Sequence, residues 1–276
     1  MRYVLTCALL ASSAIPASAQ WLNYIPPGTP LLKDGTPNLS APVPRGANGK
    51  PDLSGTWNRD LGTTLATARS TPELVNTGAP GIGGPSYSAN IFRDLKPGEN
   101  LELPAAAKIR QARTADGKRL DPTVFCLPMG IPMNMMFHEV VKFVQGPTIM
   151  MILFEVDGTY RQVYLDGRKL PVDPSPAWMG YSTGHWEGDT LVVETAGFND
   201  KSWLDMLGHS HSEDLHVTER FTRRDFGHMN IEVTLNDPKM YSKPFTLKLP
   251  MVLLPDTDIL EAYCNENERD RAHLVN

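Results

Sequence analysis

Residues 215–235, LHVTERFTRRDFGHMNIEVTL, decide the fold class. Before the turn Asp225-Phe226-Gly227, alternate positions form one row of side chains, which contains Leu215, Val217, Glu219 and Phe221. All of these are apolar except Glu219. After the turn the corresponding row is wholly apolar: Met229, Ile231, Val233 and Leu235. Because successive side chains of a strand point to opposite faces, this pattern predicts two half-buried antiparallel strands. It also places Glu219 on the apolar face.

Similar short strands with turn signals recur through the second half of the chain. They are predicted at 140–145, 148–156, 159–165, 190–195, 245–249 and 259–264, and Asp157-Gly158 is a strong hairpin signal. Helices are expected at only two places, Ala105–Arg113 behind Pro104 and 266–274. The sequence therefore predicts a mainly β protein, a single antiparallel β-barrel. In this lipocalin-like meander, roughly eight strands enclose one small ligand.

The first fifty residues indicate export followed by an extended arm. Residues 1–19 have a charged start, an apolar run and the cleavage pattern Ala17-Ser18-Ala19, as in a signal peptide. Residues 20–51 contain seven prolines and are predicted to form a Pro/Gly-rich arm, and residues 60–100 are predicted to form a long loop. The β-barrel-like domain is assigned to 52–276. No later stretch approaches the roughly 20 apolar residues of a membrane span, so a periplasmic or secreted protein is predicted.

The net charge excludes some classes of binding partner, and the cysteine content predicts a disulfide. Removing Arg2 with the leader leaves 25 basic and 31 acidic residues, a formal charge of −6, which argues against nucleic acid or anionic membrane. Cys126 and Cys264 remain after cleavage, and an even pair in an exported protein predicts a disulfide. Closing so long a loop contributes about 4 kcal/mol in the chain-entropy picture. Two buried free thiols are the alternative.

Several carboxylates stand among apolar neighbours. Glu155 ends an apolar run and Arg161 follows across the predicted hairpin, so the two are expected to form an interior or rim ion pair. Glu194 and Glu261 have similar surroundings to Glu219. Each alone favours a paired structural charge, whereas several together indicate a polar patch inside the barrel, as in a ligand pocket.

Histidines and aromatic residues supply the other candidates. Five of the seven histidines fall between 185 and 228, and His209, His211 and His216 cluster there. His211 or His216 is a candidate for acid–base chemistry, and His209 and His211 could share a zinc, iron or copper ion. Plain loop structure is the remaining interpretation. Three aromatic residues near them are candidates for stacking on a flat or sugar-like ligand, with Glu155 as a polar contact: Trp178, Tyr181 and Trp203.

A set of motifs resembles a family of uncharacterised secreted bacterial proteins. The motifs are CLPMGIP (126–132), WMGYS (178–182), GHWEGDTLVVET (184–195), HSHSEDLHVTERF (209–221) and CNEN (264–267). The resemblance covers about residues 50–276 and implies an exported single-domain protein, but it carries no catalytic residues. Gly55-Thr56-Trp57 is also similar to the Gly-x-Trp opening of lipocalins.

The leading hypothesis is a cofactor-free acid–base enzyme, a lyase, isomerase or hydrolase acting on an apolar or aromatic small molecule. In it His211 or His216 moves the proton, while Glu219 orients the histidine. Arg161 holds an anionic or carbonyl group. The alternatives are a non-catalytic, lipocalin-like carrier of a hydrophobic ligand, and a metal-dependent enzyme using the His209, His211 and His216 cluster. The oligomeric state is not predicted.

Overall fold

The computed structural model describes residues 24–60, 90–117, 120–137, 140–156 and 158–264. Within these ranges nine strands close into one barrel in sequence order, and β1 pairs with β9. The strands are β1 (Gly55–Arg59), β2 (Val141–Gln145), β3 (Ile149–Phe154), β4 (Tyr160–Tyr164), β5 (Tyr181–Glu187), β6 (Thr190–Ala196), β7 (His216–Arg223), β8 (His228–Asn236) and β9 (Phe245–Leu253). The predicted mainly β barrel is confirmed.

One pair of neighbouring strands, here called the β4–β5 joint, departs from the predicted antiparallel meander. β4 and β5 run parallel through only two residue pairs, Val163 with Ser182 and Tyr164 with Thr183. The other neighbouring pairs are antiparallel. Parallel neighbours need a crossover connection, and residues 165–180 supply it without helix or strand. Because this segment has no apolar periodicity, the change of strand direction could not be predicted from it.

Helices are few in the described ranges. α1 (Pro104–Ala115) confirms the helix predicted behind Pro104, and α2 (Met133–Met136) is a single turn. The strand predicted at 259–264 is wrong, because that segment makes only one bridge, between Val156 and Ala262. β9 pairs on both sides, so the closed barrel leaves no edge for a tenth strand. The predicted signal peptide and the helix at 266–274 lie outside the described residues.

Side chains fill the barrel interior. The inward rows of β7 and β8 are those predicted, and all are buried: Val217, Glu219, Phe221, Met229, Ile231, Val233 and Leu235. Their apolar members belong to one cluster that also includes Trp57, Phe143 and Leu247. Burial of this apolar surface is the main favourable contribution to folding.

A polar row crosses four neighbouring strands inside this core. Arg161 on β4 donates from Nε to Ser182 Oγ on β5 (2.9 Å) and from Nη2 to Thr195 Oγ1 on β6 (2.6 Å). It also meets Glu219 on β7 through Nη1–Oε1 (3.1 Å) and Nη2–Oε2 (2.5 Å). The side chains of Arg161 and Glu219 are 1% and 0% exposed. The row therefore ties the short parallel β4–β5 joint to the antiparallel strands beside it.

The predicted pairing of Arg161 with Glu155 is wrong. Glu155 instead accepts a hydrogen bond from the Leu260 amide (2.8 Å). Glu194 is half-buried, on the opposite face of β6 from Thr195, and Glu261 is exposed. Among these four carboxylates only Glu219 lies in the interior, because Glu194 is on the outward face of β6 and Glu155 and Glu261 lie outside the nine strands.

The two ends of the barrel are closed differently. The turns 146–148, 188–189 and 224–227 lie at one end, where the preceding chain is attached by an Arg45–Asp189 ion pair (2.6 Å) and a Phe226 N–Ala41 O bond (2.7 Å). The opposite end, here called the loop end, carries the loops 197–215 and 237–244. The predicted Cys126–Cys264 disulfide is confirmed. No helix in the described ranges is long and apolar enough to cross a membrane.

Removing Glu219 should cost far more stability than removing an exposed partner. Glu219→Ala leaves the buried Arg161 charge without its carboxylate, and breaking such a pair costs about 3–5 kcal/mol. Arg161→Met combined with Glu219→Met should be less destabilising than Glu219→Ala alone, since no buried charge then remains. The free energy of unfolding in urea measures both effects.

Glu187→Ala is the matched control. Glu187 pairs with Arg220, the next residue of β7, at 2.9 Å, but both side chains are largely exposed. Exposed pairs contribute little, so this variant should leave the free energy of unfolding nearly unchanged. An equal loss from Glu219→Ala and Glu187→Ala would contradict a structural role for the buried row.

Candidate functional site

The loop end concentrates buried polar side chains. Within the loop 197–215 and its neighbour 237–244, eight such residues are at most 8% exposed: Asn199, Ser202, Asp205, His209, Ser210, His211, Ser212 and Asp237. Buried polar groups are retained when they are hydrogen-bonded, so the partner of each one shows what it does. The hydrogen-bond partners show that His211 and His209 have different roles.

Both ring nitrogens of His211 are used within the protein. Nδ1 lies 3.1 Å from the Ser212 carbonyl, which can only accept, so Nε2 accepts from Ser202 Oγ at 2.8 Å. Ser202 in turn touches Gly130, where a Cβ would lie 2.5 Å from its Oγ. Burial lowers the pKa of His211 below its usual value. His211 is thus held neutral as part of the packing.

A second set of bonds fixes the same loop to the β8–β9 connection. Asp237 accepts from the amide of Ser212 (2.6 Å) and from its hydroxyl (2.9 Å). Tyr241 donates to the Ser210 carbonyl (2.7 Å), and burial raises the pKa of this phenol. These bonds hold the backbone on both sides of His211 and leave His209 one residue before them.

His209 forms a buried dyad with Asp205. Its Nδ1 lies 2.6 Å from Asp205 Oδ2, and the two side chains are 5% and 0% exposed. Asp205 is itself held by the amides of Ile91 (2.7 Å) and Leu207 (2.9 Å). A carboxylate that accepts from Nδ1 fixes the imidazole's tautomer and orientation and directs Nε2 away from it.

The Nε2 side of His209 faces a second buried carboxylate. Glu102 Oε1 lies 3.9 Å from Nε2, beyond hydrogen-bond distance, and the Glu102 side chain is 1% exposed. Arg110 on α1 holds Glu102 from Nε (2.9 Å) and Nη2 (2.8 Å). This contact raises the pKa of Arg110 above its ordinary value. Among the described residues, Nε2 has no hydrogen-bond partner.

His209, Glu102 and Arg110 line one cleft. It has a volume of about 490 Å³, and its other walls come from residues 90–100 and from Leu207. Phe92 packs its ring edge-on to His209, with centroids 4.9 Å apart. The cleft thus places a histidine, a carboxylate and a guanidinium beside apolar side chains such as Phe92 and Leu207 and beside charged ones such as Lys96.

The loop backbone around His209 depends on Gly208 and Arg113. Gly208 has φ +85, a conformation that L side chains rarely adopt. The Arg113 guanidinium stacks on Trp203 (4.9 Å) and donates to the Gly208 carbonyl (3.1 Å). Burial lowers the pKa of Arg113. These contacts set the position of His209 relative to α1.

The four residues given catalytic roles from sequence do not converge on one cavity. Glu219 and Arg161 bind each other inside the barrel, and His211 is bonded at the loop end. His216 is half-buried, on the opposite face of β7 from Glu219. Strand parity explains that separation, because an odd spacing of three residues places two side chains on opposite faces.

The metal alternative loses its geometric basis. His209 Nδ1 is bonded to Asp205 and His211 Nε2 to Ser202, so the two imidazoles point to separate partners. No group of three or more potential ligands that could hold a metal ion occurs among the described residues.

The carrier alternative is weakened as well. A lipocalin-type carrier binds its ligand inside the barrel, whereas here the inward rows pack on each other and on the Arg161–Glu219 pair.

The aromatic candidates are also dispersed. Trp203 is 2% exposed and packs with Met129 and Met133 in a small cluster. Tyr181 is 38% exposed at the start of β5, and Trp178 is half-buried in the crossover. None of these, nor Glu155, lines the His209 cleft. Ligand contacts by these four residues stay predictions.

Sequence reasoning missed the residues that complete the cleft. Asp205 stands four positions before His209 in Asp205-Met206-Leu207-Gly208-His209, a local turn signal that could have been read. Glu102 and Arg110 lie about 100 residues earlier, in a segment without strand or motif signals, and the fold alone brings them to His209. No family model, curated protein or solved structure matches the chain.

Acidification should destabilise the fold through His211. Because its pKa is lowered in the folded state, the unfolded chain binds the proton more readily below its ordinary pKa of 6.5. The free energy of unfolding should therefore be highest above that pH and fall as the pH drops, by up to about 1.4 kcal/mol per pH unit for one proton. Urea unfolding at a series of pH values measures this slope.

His211→Gln should flatten that slope while lowering stability at neutral pH, since it removes the titrating ring and part of the packing. His185→Gln is the control, because the His185 side chain is 58% exposed and should leave the pH dependence as in the parent. Equal slopes in the parent and His211→Gln would exclude His211 as the source.

Proposed function

We propose that the protein is an acid–base enzyme acting on a small molecule in the loop-end cleft, with His209 as the proton-transfer residue. The observation that carries the proposal is the Nε2 of His209. It belongs to a 95%-buried side chain oriented by Asp205, lines the cleft and has no hydrogen-bond partner among the described residues. Because Asp205 holds Nδ1, Nε2 is the ring nitrogen that faces the cleft and can exchange a proton with a bound molecule.

The geometry supports a simple proton cycle. Nε2 takes a proton from the bound molecule, and the resulting imidazolium lies between the carboxylates of Asp205 and Glu102, which stabilise its charge. The anion formed in the cleft faces Arg110, whose Nη1 has no partner among the described residues. The proton then returns to the product from Nε2. General acid–base catalysis of this kind contributes about 10²–10⁴-fold.

The proposal keeps the acid–base chemistry expected from sequence and moves it to a neighbouring histidine. His211 lacks a free nitrogen, and Glu219 and Arg161 neutralise each other in the core. It also keeps export, since the Cys126–Cys264 disulfide supports an oxidising compartment.

Untargeted turnover tests the proposal without a known substrate. The full chain is incubated with a small-molecule extract of a bacterial culture, once in D₂O and once in H₂¹⁸O, and the mixtures are followed by mass spectrometry. At least one component should change or take up label, and His209→Gln should slow that change by about 100-fold or more.

His185→Gln, an exposed histidine remote from the cleft, should retain the parent rate. Circular dichroism and urea unfolding confirm that His209→Gln is folded, and Glu102→Gln provides a second variant of the same site. A protein that changes no component, or a His209→Gln variant as active as the parent, defeats the proposal.

A further inference from the structure

The cleft presents two hydrogen-bond acceptors that face each other. With Nδ1 bonded to Asp205, the neutral His209 ring exposes a lone pair on Nε2, and Glu102 Oε1 lies 3.9 Å from it. Both side chains are at least 95% buried. Because the pair is too far apart for a direct bond and neither atom is a donor, it can be bridged only by a group that carries two donors.

Water has the matching chemistry. One oxygen about 2.8 Å from both atoms would donate two hydrogen bonds at an angle of about 90°, close to the angle between its own O–H bonds. A ligand hydroxyl has a single proton and can satisfy only one of the two acceptors. The lone pairs of a water held this way point into the cleft.

We infer that the molecule deprotonated by His209 is water and that the enzyme is a hydrolase of small carboxylic esters. This inference rests on the proposed function. As the water oxygen forms a bond to the ester carbonyl carbon, its proton passes to Nε2. The carbon–oxygen bond to the alcohol then breaks, and the proton on Nε2 goes to the leaving alkoxide. The products are an acid and an alcohol, and no oxidant or metal is consumed.

The remaining cleft residues fit an ester. The Nη1 edge of Arg110 points away from its bidentate contact with Glu102 and can donate to the oxyanion of the tetrahedral intermediate. Phe92, Leu95 and Leu207 supply apolar walls for an acyl or alkoxy chain. No Ser, Thr or Cys lines the cleft in the described residues, which favours direct attack by water over an acyl-enzyme.

Phenyl butyrate is the probe. The full chain should hydrolyse it well above the buffer rate and, in H₂¹⁸O, place ¹⁸O in the butyrate. His209→Gln should remove at least about 99% of this activity, and Glu102→Gln should lower kcat more than it raises KM, because Glu102 orients the water. Intact protein from a quenched reaction should keep its unmodified mass, as direct attack requires.

His185→Gln is again the control and should match the parent. An acyl adduct on the protein, hydrolysis that persists in His209→Gln, or no hydrolysis above buffer overturns the inference. The two proposals can fail separately. If the ester is not hydrolysed but another component takes up deuterium in a reaction that requires His209, the protein is an acid–base enzyme but not an ester hydrolase. If neither ester hydrolysis nor deuterium uptake is observed, both the hydrolase inference and the proposed acid–base function are wrong.

Discussion

Closure of this barrel depends on the buried contact between Arg161 and Glu219. The β4–β5 joint has the shortest ladder, two residue pairs, and it is the parallel one. Arg161 donates hydrogen bonds across this joint to Ser182 and Thr195 and forms an ion pair with Glu219. These side-chain contacts therefore reinforce a strand pairing that has few backbone hydrogen bonds. A shifted register at this joint would leave the Arg161 or the Glu219 charge unpaired in the core, which is costly.

That constraint determines where chemistry can occur. In the described strands the inward side chains pack on one another and on the ion pair, and the histidine cleft lies on the connections at the loop end. The loop end supplies them on the loop 197–215 and on α1, whose attachment through Arg113 and Arg110 brings Glu102 to His209. A rigid barrel that positions functional loops is a common division of labour.

The sequence predicted what depends on local periodicity. Alternation placed Glu219 inward and Met229, Ile231 and Val233 beside it, and the compartment argument anticipated the Cys126–Cys264 bond. It failed where partners are distant in sequence. Arg161 was assigned the nearby Glu155 instead of Glu219, 58 residues away. The histidine cluster was recognised, but proximity in sequence could not show which ring nitrogens are bonded. Within the described ranges both nitrogens of His211 are bonded, whereas Nε2 of His209 has no hydrogen bond, and the residues that cause this difference are distant in sequence or on the loop backbone.

Asp205 fixes the His209 ring so that Nε2 faces the cleft, and the proposed chemistry depends on this orientation. Long-range ¹H–¹⁵N NMR of the imidazole nitrogens, assigned through His209→Gln, observes this directly. We expect a proton on Nδ1 that is protected from solvent exchange, and an Nε2 whose chemical shift changes when a ligand enters the cleft. A ring that carries its only proton on Nε2, with Nδ1 bare, would contradict it.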